Sequence, residues 1–218
     1  AAPDNAILSF DPLQVTGTAG FALSLSTVDV DTDGNGSADL LAATLTGLAL
    51  DVANAGVSIT GVAQLTVAGK LALATLAKTG DTRSWFALKM GQVTVSGGLD
   101  PALDIGLTAS ITIGALDYNS ASVGATRLDW ATAFDLDGDG AFDDAPNPGA
   151  LLPVAQDLSI DFARSLQLRL SGSLTGTGVV AGAAPDNAIL SFDPLQVTGT
   201  AGFALSLSTV DVDTDGNG

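Results

Sequence analysis

Two short acidic segments carry the side chains that could do chemistry in this 218-residue chain. Both follow the pattern D-x-D-G-[ND]-G-x-x-D, whose Asp and Asn positions are Asp31, Asp33, Asn35 and Asp39 in the first segment and Asp135, Asp137, Asp139 and Asp143 in the second. Glycine permits a tight turn, and alternate residues on such a turn can direct carboxylates at one point. Because several Asp side chains this close repel one another, the pattern predicts a cation site in each segment.

The ligand chemistry of both segments favours Ca²⁺. Ca²⁺ takes about six to eight oxygen ligands in a flexible geometry, whereas Mg²⁺ demands a near-ideal octahedron and keeps several waters. The backbone carbonyls of Ser37 and Ala141, at the seventh position, are the expected neutral ligands, and Asp29 and Asp144 are possible additional ones. The alternative interpretation is an Asp/Gly-rich surface turn that binds no ion.

Other chemistries find little support in the sequence. The chain has no Cys and no His, which excludes thiolate and imidazole sites. Pairs such as Asp100 with Asp104, or Asp157 with Asp161, would lie about 13 Å apart on extended chain, so we expect no enzyme. Trp85, Trp130 and Tyr118 could stack on a sugar, although such residues in strands more often pack in a core.

The charge of the chain narrows its partners. All 24 acidic residues are Asp, the basic residues number 7, and the net charge is −17. Such a chain repels nucleic acid and anionic lipid and attracts cations. No apolar run of about 18 residues and no basic leader is visible, so neither membrane insertion nor a signal peptide is predicted.

Apolar residues alternate with small or polar ones along most of the chain. The alternation is clear in residues 13–25, 57–73 and 103–113 and weaker in 85–99, 126–134 and 158–174. The pattern predicts an all-β fold of long antiparallel strands or hairpins in a sandwich or stacked-hairpin module, with a parallel β-solenoid as the alternative. Phase changes at Gly47 and Gly91 indicate β-bulges.

The alternation gives the strands two unlike faces. One face collects the large apolar side chains, and the other collects Ser, Thr, Ala and Gly. The small-residue face could be solvated, as one face of many antiparallel sheets is. Alternatively, it could be a lateral packing surface that another sheet or a neighbouring molecule approaches closely.

Residues 1–36 recur letter for letter as residues 183–218. We therefore expect residues 1–182 to be one tandem repeat and residues 183–218 to be the first strand and part of the acidic loop of the next. Since 36 residues cannot build a core, the copy should close the sheet of the first repeat or stand in for the next module, and residues 178–184 should form the crossing. The copied loop, with Asp213, Asp215 and Asn217, lacks a ninth-position Asp, so its site should be empty or weak.

The two acidic segments resemble the calcium loops of EF-hands, dockerins and integrin-type β-propeller repeats. Ala42 and Pro146 stand where an EF-hand has its bidentate Glu, and no helical periodicity flanks either loop, so the strand-flanked version fits better. The whole chain resembles the repeats of giant secreted or surface-displayed bacterial adhesins and matrix-fibre proteins. That resemblance implies an extracellular or cell-surface extender or polymer subunit of a fibre or biofilm matrix. It would bind Ca²⁺ and contact neighbouring repeats, and a carbohydrate-binding adhesive module is the alternative.

Overall fold

The fold is all-β, as predicted. The computed structural model describes residues 6–10, 13–59, 63–99, 108–175, 188–192, 195–210 and 212–213. The ten strands are β1 (Ala6–Phe10), β2 (Leu13–Val30), β3 (Leu40–Ile59), β4 (Ala63–Ala77), β5 (Ser84–Leu99), β6 (Thr108–Ala121), β7 (Leu166–Thr175), β8 (Ala188–Phe192), β9 (Leu195–Thr198) and β10 (Thr200–Ser208). The helical content of the described residues is one 3-10 turn, Pro148–Leu151. The expected repeat boundary after residue 182 and the crossing at 178–184 lie outside the described residues.

Eight strands form one sheet in the order β1-β2-β3-β4-β5-β6-β7-β10, and β8 and β9 form a separate pair. Every described pairing is antiparallel, which confirms the hairpin architecture over the solenoid. The stretch 57–73 is not one strand as predicted, because Ile59 at the end of β3 pairs with Ala63 at the start of the antiparallel β4. The apolar alternation keeps its phase along the sequence from β3 into β4, which is why the sequence does not reveal two strands.

An irregular segment, residues 122–165, covers one face of this sheet and is called the covering layer below. Its large side chains, Trp130, Phe134, Leu152, Leu158, Ile160 and Phe162, are buried in one cluster with sheet residues. The predicted strand 126–134 belongs to this layer and is not a strand, and neither is the first part, 158–165, of the predicted strand 158–174, whose remainder lies in β7. Their apolar residues alternate because about every second side chain packs onto the sheet. Their backbone forms isolated hydrogen bonds, such as the one from Trp130 N to Phe162 O at 2.8 Å, rather than a strand ladder.

The covered face of the sheet is the one on which most of the small residues lie. Ala22, Ala43, Ala49, Ala72, Ala74 and Ala87 all lie in the buried cluster. Alanine leaves room for the aromatic and branched side chains of the covering layer to approach closely. The solvated-surface interpretation is therefore wrong for the part that the layer covers. The small residues there do admit close packing, but against a segment of the same chain.

Close approach also explains Gly47. This residue pairs in regular register with Ser24 and Ala74, so the predicted bulge is absent there. A Cβ at Gly47 would lie 3.2 Å from Pro148 and 2.7 Å from the Ser24 hydroxyl, so the glycine admits the 3-10 turn. Gly91, by contrast, does lie beside a register shift, the one between Ala68 and Lys70 of β4.

The covered face also buries Leu45, Leu76 and Trp85. Most other large apolar strand residues form two continuous rows on the opposite, uncovered face, which we call the leucine face. The first row runs through cross-strand neighbours Leu23, Leu48, Leu73, Leu88, Tyr118, Leu168 and Leu207. The second row runs through Phe21, Leu50, Leu71, Met90, Leu116, Leu170 and Leu205. Exposure reaches 70% for Phe21 and 59% for Leu23.

One buried polar side chain joins the covering layer to the sheet. Asn119 of β6 accepts a hydrogen bond from Trp130 Nε1 at 3.0 Å and donates from Nδ2 to the carbonyls of Leu128 at 2.9 Å and Ala163 at 3.3 Å. It is fully buried. Because water cannot replace these bonds, Asn119 fixes where two parts of the layer meet the sheet.

Replacing Asn119 with Ala should therefore destabilise the fold. The change leaves Trp130 Nε1 and the Leu128 carbonyl buried without this partner, at a cost of about 2–3 kcal/mol in the free energy of unfolding. Urea denaturation followed by tryptophan emission measures this cost. The exposed Asn54→Ala on β3 is the matched control, and equal shifts of the urea midpoint for both variants would contradict the assigned role.

Candidate metal sites at two aspartate loops

The two acidic loops begin side by side at buried residues. The first loop, residues 31–39, joins β2 to β3, and the second loop, residues 135–144, lies in the covering layer. Val30 and Phe134, which precede them, form an antiparallel bridge and are both fully buried. Asp31 N also donates to the Ala133 carbonyl at 3.0 Å, so the packing of the layer on the sheet positions both loops together.

The first loop is folded around the Asp31 carboxylate. Asp31 is 3% exposed and accepts backbone N–H bonds from Asp33 at 3.1 Å, Gly34 at 2.6 Å, Asn35 at 3.3 Å and Gly36 at 2.7 Å. Gly34 and Gly36 have φ of 83° and 81°, a backbone that glycine adopts readily. The sequence spacing thus turns four amides inward onto one carboxylate.

The charged state of Asp31 is favoured despite its burial. Burial is the largest single influence and would raise the pKa of Asp31. The N–H bonds from Gly36, Gly34, Asp33 and Asn35 together outweigh it and hold that pKa below its ordinary value. The carboxylate is therefore ionised and preoriented for a cation at neutral pH.

Asp39 closes the first loop from its other end. Its Oδ2 accepts bonds from Thr32 N at 2.9 Å and Asp33 N at 3.2 Å, and Asp39 N donates to the Val30 carbonyl at 2.9 Å. These bonds bring its carboxylate beside those of Asp31 and Asp33.

The second loop repeats much of this geometry from its first Asp to its second glycine. Asp135 accepts N–H bonds from Gly138 at 2.8 Å and Gly140 at 3.0 Å, as Asp31 does from Gly34 and Gly36. Asp137 accepts one from Asp139 N at 3.1 Å, as Asp33 does from Asn35 N at 3.0 Å. Two segments far apart in the chain thus adopt one loop conformation.

The second loop differs in the residue that closes it. Asp144, rather than the predicted Asp143, accepts from Leu136 N at 2.6 Å and Asp137 N at 3.0 Å. Asp144 N donates to the Phe134 carbonyl at 3.1 Å, the equivalent of the Asp39 bond to Val30. The second loop is one residue longer before its closing Asp, so Asp143 falls outside the cluster and is exposed.

Each loop therefore gathers three carboxylates that could hold a metal ion. The ligand oxygens of Asp31, Asp33 and Asp39 lie within 4.8 Å of one another, and so do those of Asp135, Asp137 and Asp144. The side chains of Asn35 and Asp139 accept bonds from Ser37 N at 2.9 Å and Ala141 N at 2.8 Å. The carbonyl ligands expected at Ser37 and Ala141 remain a prediction.

Asp29, considered above as a possible additional metal ligand, lies outside the carboxylate cluster of the first loop. Its Oδ1 accepts a bond from Ala42 N at 2.8 Å, across the register shift between Val28 and Val30. Ala42 has φ of 54°, an uncommon value for a residue other than glycine, and this bond holds it there. Asp29 thus shapes the entry to the first loop and is not in its carboxylate cluster. Of the copied loop, Asp213 is described and exposed, while Asp215 and Asn217 lie outside the described residues.

No pattern in the sequence places Arg164 at the first loop. Arg164 Nη2 donates to the Thr32 carbonyl at 2.9 Å, although the two residues are separated by more than half of the chain. Its Nε is the one buried side-chain polar atom without a hydrogen-bond partner among the described residues. Arg164 therefore ties the end of the covering layer to the first loop.

The aromatic residues considered for sugar binding do not form a stacking surface. Trp85 and Trp130 are 3% and 0% exposed, and their Nε1 groups donate to the Thr126 carbonyl and to Asn119. Tyr118 is exposed on the leucine face. Of the acidic pairs, Asp157 binds Ser159 and Asp161 pairs with Lys89 at 3.0 Å, while Asp100 and Asp104 lie outside the described residues.

Comparisons with protein-family models, with curated proteins and with solved structures found no match to this chain. Among the described residues, no helix is both long enough and apolar enough to cross a membrane.

The assignment of Asp144, rather than Asp143, as the closing residue can be tested by Ca²⁺ binding. Asp144→Asn keeps an oxygen that accepts from the Leu136 and Asp137 amides but removes a negative charge. The Ca²⁺ affinity of the second loop should therefore fall at least about tenfold. Asp143→Asn, its matched neighbour, should leave that affinity unchanged.

Calorimetric titration with Ca²⁺ measures both variants, and Asp39→Asn reports on the first loop in the same way. If Asp143→Asn abolished a site and Asp144→Asn did not, the assignment of the closing residue would be wrong.

Proposed function

We propose that this chain is a calcium-stabilised structural repeat of an extracellular fibre, biofilm-matrix or surface adhesin protein. It would act as an extender or polymer subunit whose repeats add head to tail to one continuous sheet. The observation that carries the proposal is the position of the copied segment. β10, whose sequence is identical to residues 18–26 of β2, pairs along β7 at the end of the sheet.

The pairing of β10 with β7 is extensive. It runs from Thr200 opposite Thr175 to Ser208 opposite Leu166, with one register shift near its end. Beyond the strand, Thr209 N donates to the Ser165 carbonyl at 3.0 Å, and Arg127 Nη2 donates to the Thr209 hydroxyl. The copy is thus bound by both the sheet and the covering layer of the preceding repeat.

The first copy of the same sequence has a complementary edge. Residues 13–16 of β2 pair with β1, whereas residues 18–26 pair on the β3 side alone among the described strands. In an array, the β7 strand of a preceding repeat would fit this edge, because β7 already binds the identical sequence in β10. Each repeat would then contribute its six long strands, β2 to β7, to the growing sheet.

The donor set of the two loops supports Ca²⁺ as the stabilising ion. Three carboxylates per loop on a backbone of glycine turns offer hard oxygen ligands without nitrogen or sulfur. Sites of extracellular modules bind Ca²⁺ with Kd of about 10⁻⁴–10⁻³ M, a range in which the ion acts as a permanent structural part outside the cell. An ion in each loop would also reduce the repulsion within a chain of net charge −17.

The carbohydrate-binding alternative has no comparable support. It requires an exposed aromatic ring beside a calcium loop, and both Trp side chains are buried. We therefore do not propose glycan binding. An enzymatic role is likewise not proposed, because the described carboxylate pairs are engaged with separate partners.

Removal of Ca²⁺ should destabilise the protein. An ion that binds the folded state alone raises stability by mass action, so Tm should fall in EDTA and recover in millimolar Ca²⁺ but not in millimolar Mg²⁺. Differential scanning calorimetry measures the shift. The double variant Asp39→Asn/Asp144→Asn should have the lower Tm from the start, and its Tm should not change with EDTA or Ca²⁺. A wild-type Tm that EDTA leaves unchanged would contradict the calcium proposal.

The continuous sheet predicts a specific length per repeat. Six strands at a spacing of about 4.8 Å add about 29 Å along the array for each repeat. Proteins with one, two and three tandem repeats, imaged by electron microscopy in Ca²⁺, should lengthen by this increment. Separate folded beads would lengthen by about 40 Å or more, the diameter expected for a compact domain of this size, and that result would exclude the continuous sheet.

A further inference from the structure

We propose that the leucine face packs against the leucine face of a second copy of this chain, so that the fibre consists of two sheets face to face. This inference rests on the proposed head-to-tail array. The two rows of the face are uninterrupted from β2 to β10, and they cross the β7 to β10 pairing from one repeat sequence into the next.

The distribution of large and small residues is the first argument. The internal core takes many alanines from the strands and large residues such as Leu45, Leu76 and Trp85 near the loop end, whereas Phe21, Leu23 and Leu25 remain exposed by 70%, 59% and 69%. Single exposed leucines are common on protein surfaces, but contiguous apolar patches larger than a few hundred Å² mark interaction sites. The leucine face is contiguous over seven strands, so a partner is needed to remove it from water.

The distribution of charge is the second argument and identifies the partner. No residue of either row is charged, although the chain has 24 acidic and 7 basic residues. The charged residues of β4 to β7 lie on the covered side, where Lys70 binds Gln156, Lys89 binds the Ser159 carbonyl at 2.6 Å, and Arg169 pairs with the buried Asp117.

A partner recognised through charge would find no charged residue to bind on the leucine face. A second copy of the chain would find a matching surface there, because its own apolar rows can pack on these apolar rows. Copies of net charge −17 repel one another over most of their surface, and the leucine face is where that repulsion is weakest.

The size of the face suits a pair that strengthens as the array grows. Seven strands at about 4.8 Å and two apolar rows at about 6.8 Å cover roughly 34 Å by 14 Å, so a pair of single chains would remove about 950 Å² from water. Each added repeat contributes six more strands, so a pair of two-repeat arrays would remove about 1,700 Å², within the range of about 1,200–2,000 Å² for specific interfaces. Two sheets packed in this way lie about 10 Å apart, as in β-sandwiches.

The register of the rows links this packing to the array. The first row begins at Leu23 and ends at Leu207, which is the copy of Leu25, and the second begins at Phe21 and ends at Leu205, the copy of Leu23. The apolar band therefore stays two rows wide and moves by two residues, about 7 Å, with each repeat. Two arrays packed face to face would share this step, so each added repeat would extend the same interface.

Sedimentation equilibrium of the intact chain in Ca²⁺ tests the inference. Wild type should form a two-copy species, and Leu73→Lys, at the centre of the face, should weaken the association at least tenfold. Val154→Lys is the matched control, because Val154 is 70% exposed on the covering layer and should leave the association unchanged. A second variant, Leu23→Lys, changes a side chain that is already 59% exposed and should act like Leu73→Lys without affecting folding.

Tryptophan emission confirms that each variant is folded, because both Trp residues are buried. A single-copy wild type at all concentrations would overturn the inference, and so would equal effects of the leucine-face and Val154 variants. The proposed function would survive either result, since the EDTA melt and the length per repeat do not depend on the leucine face. Conversely, a chain that pairs through this face but melts identically in EDTA would contradict the calcium proposal alone.

Discussion

The close contact between the covering layer and the alanine face of the sheet is the constraint on which the rest of the structure depends. Ala43, Ala49, Ala72, Ala74 and Ala87 are fully buried, and the volume they leave is filled by Trp130, Phe134 and Ile160. Packing in protein interiors is dense enough that these side chains have one arrangement rather than several. That arrangement brings Phe134 beside Val30, which sets the loops next to each other.

The same contact couples the loops to global stability. The loop carboxylates are oriented by backbone amides, which depend on glycine turns that begin at buried Val30 and Phe134. Arg164 adds a bond from the covering layer to the first loop, and Asn119 holds the layer to the sheet. Since an ion that binds only the ordered loops stabilises whatever orders them, cation binding in either loop should strengthen the packing that supports both.

Local patterns were predictable from the sequence, whereas the arrangement of the second layer was not. Alternation identified strands such as β2, and the D-x-D-G spacing located both carboxylate clusters, because these depend on neighbouring residues. Residues 126–134 alternate equally well, but they pack on a sheet instead of joining it, and periodicity is the same in both cases. Asp143 and Asp144 are adjacent acids, and only the Phe134 carbonyl bond decides which one closes the loop. The covered face was misjudged because small residues suit both water and close packing.

The placement of charge explains how a strongly acidic chain can bind a copy of its own sequence. β10 contains no charged residue, and β7, to which it pairs, contains only Arg169, whose charge is opposed by Asp117. The repulsive carboxylates are gathered instead in the loops, and the copied loop begins at Asp213, a few residues beyond the end of β10. A neutral strand can therefore dock, while Asp213, the described acid of the copied loop, is exposed beyond the end of the pairing. In an array, each such loop would lie beside a strand pairing between repeats, so ion binding and sheet continuity would be coupled at every junction.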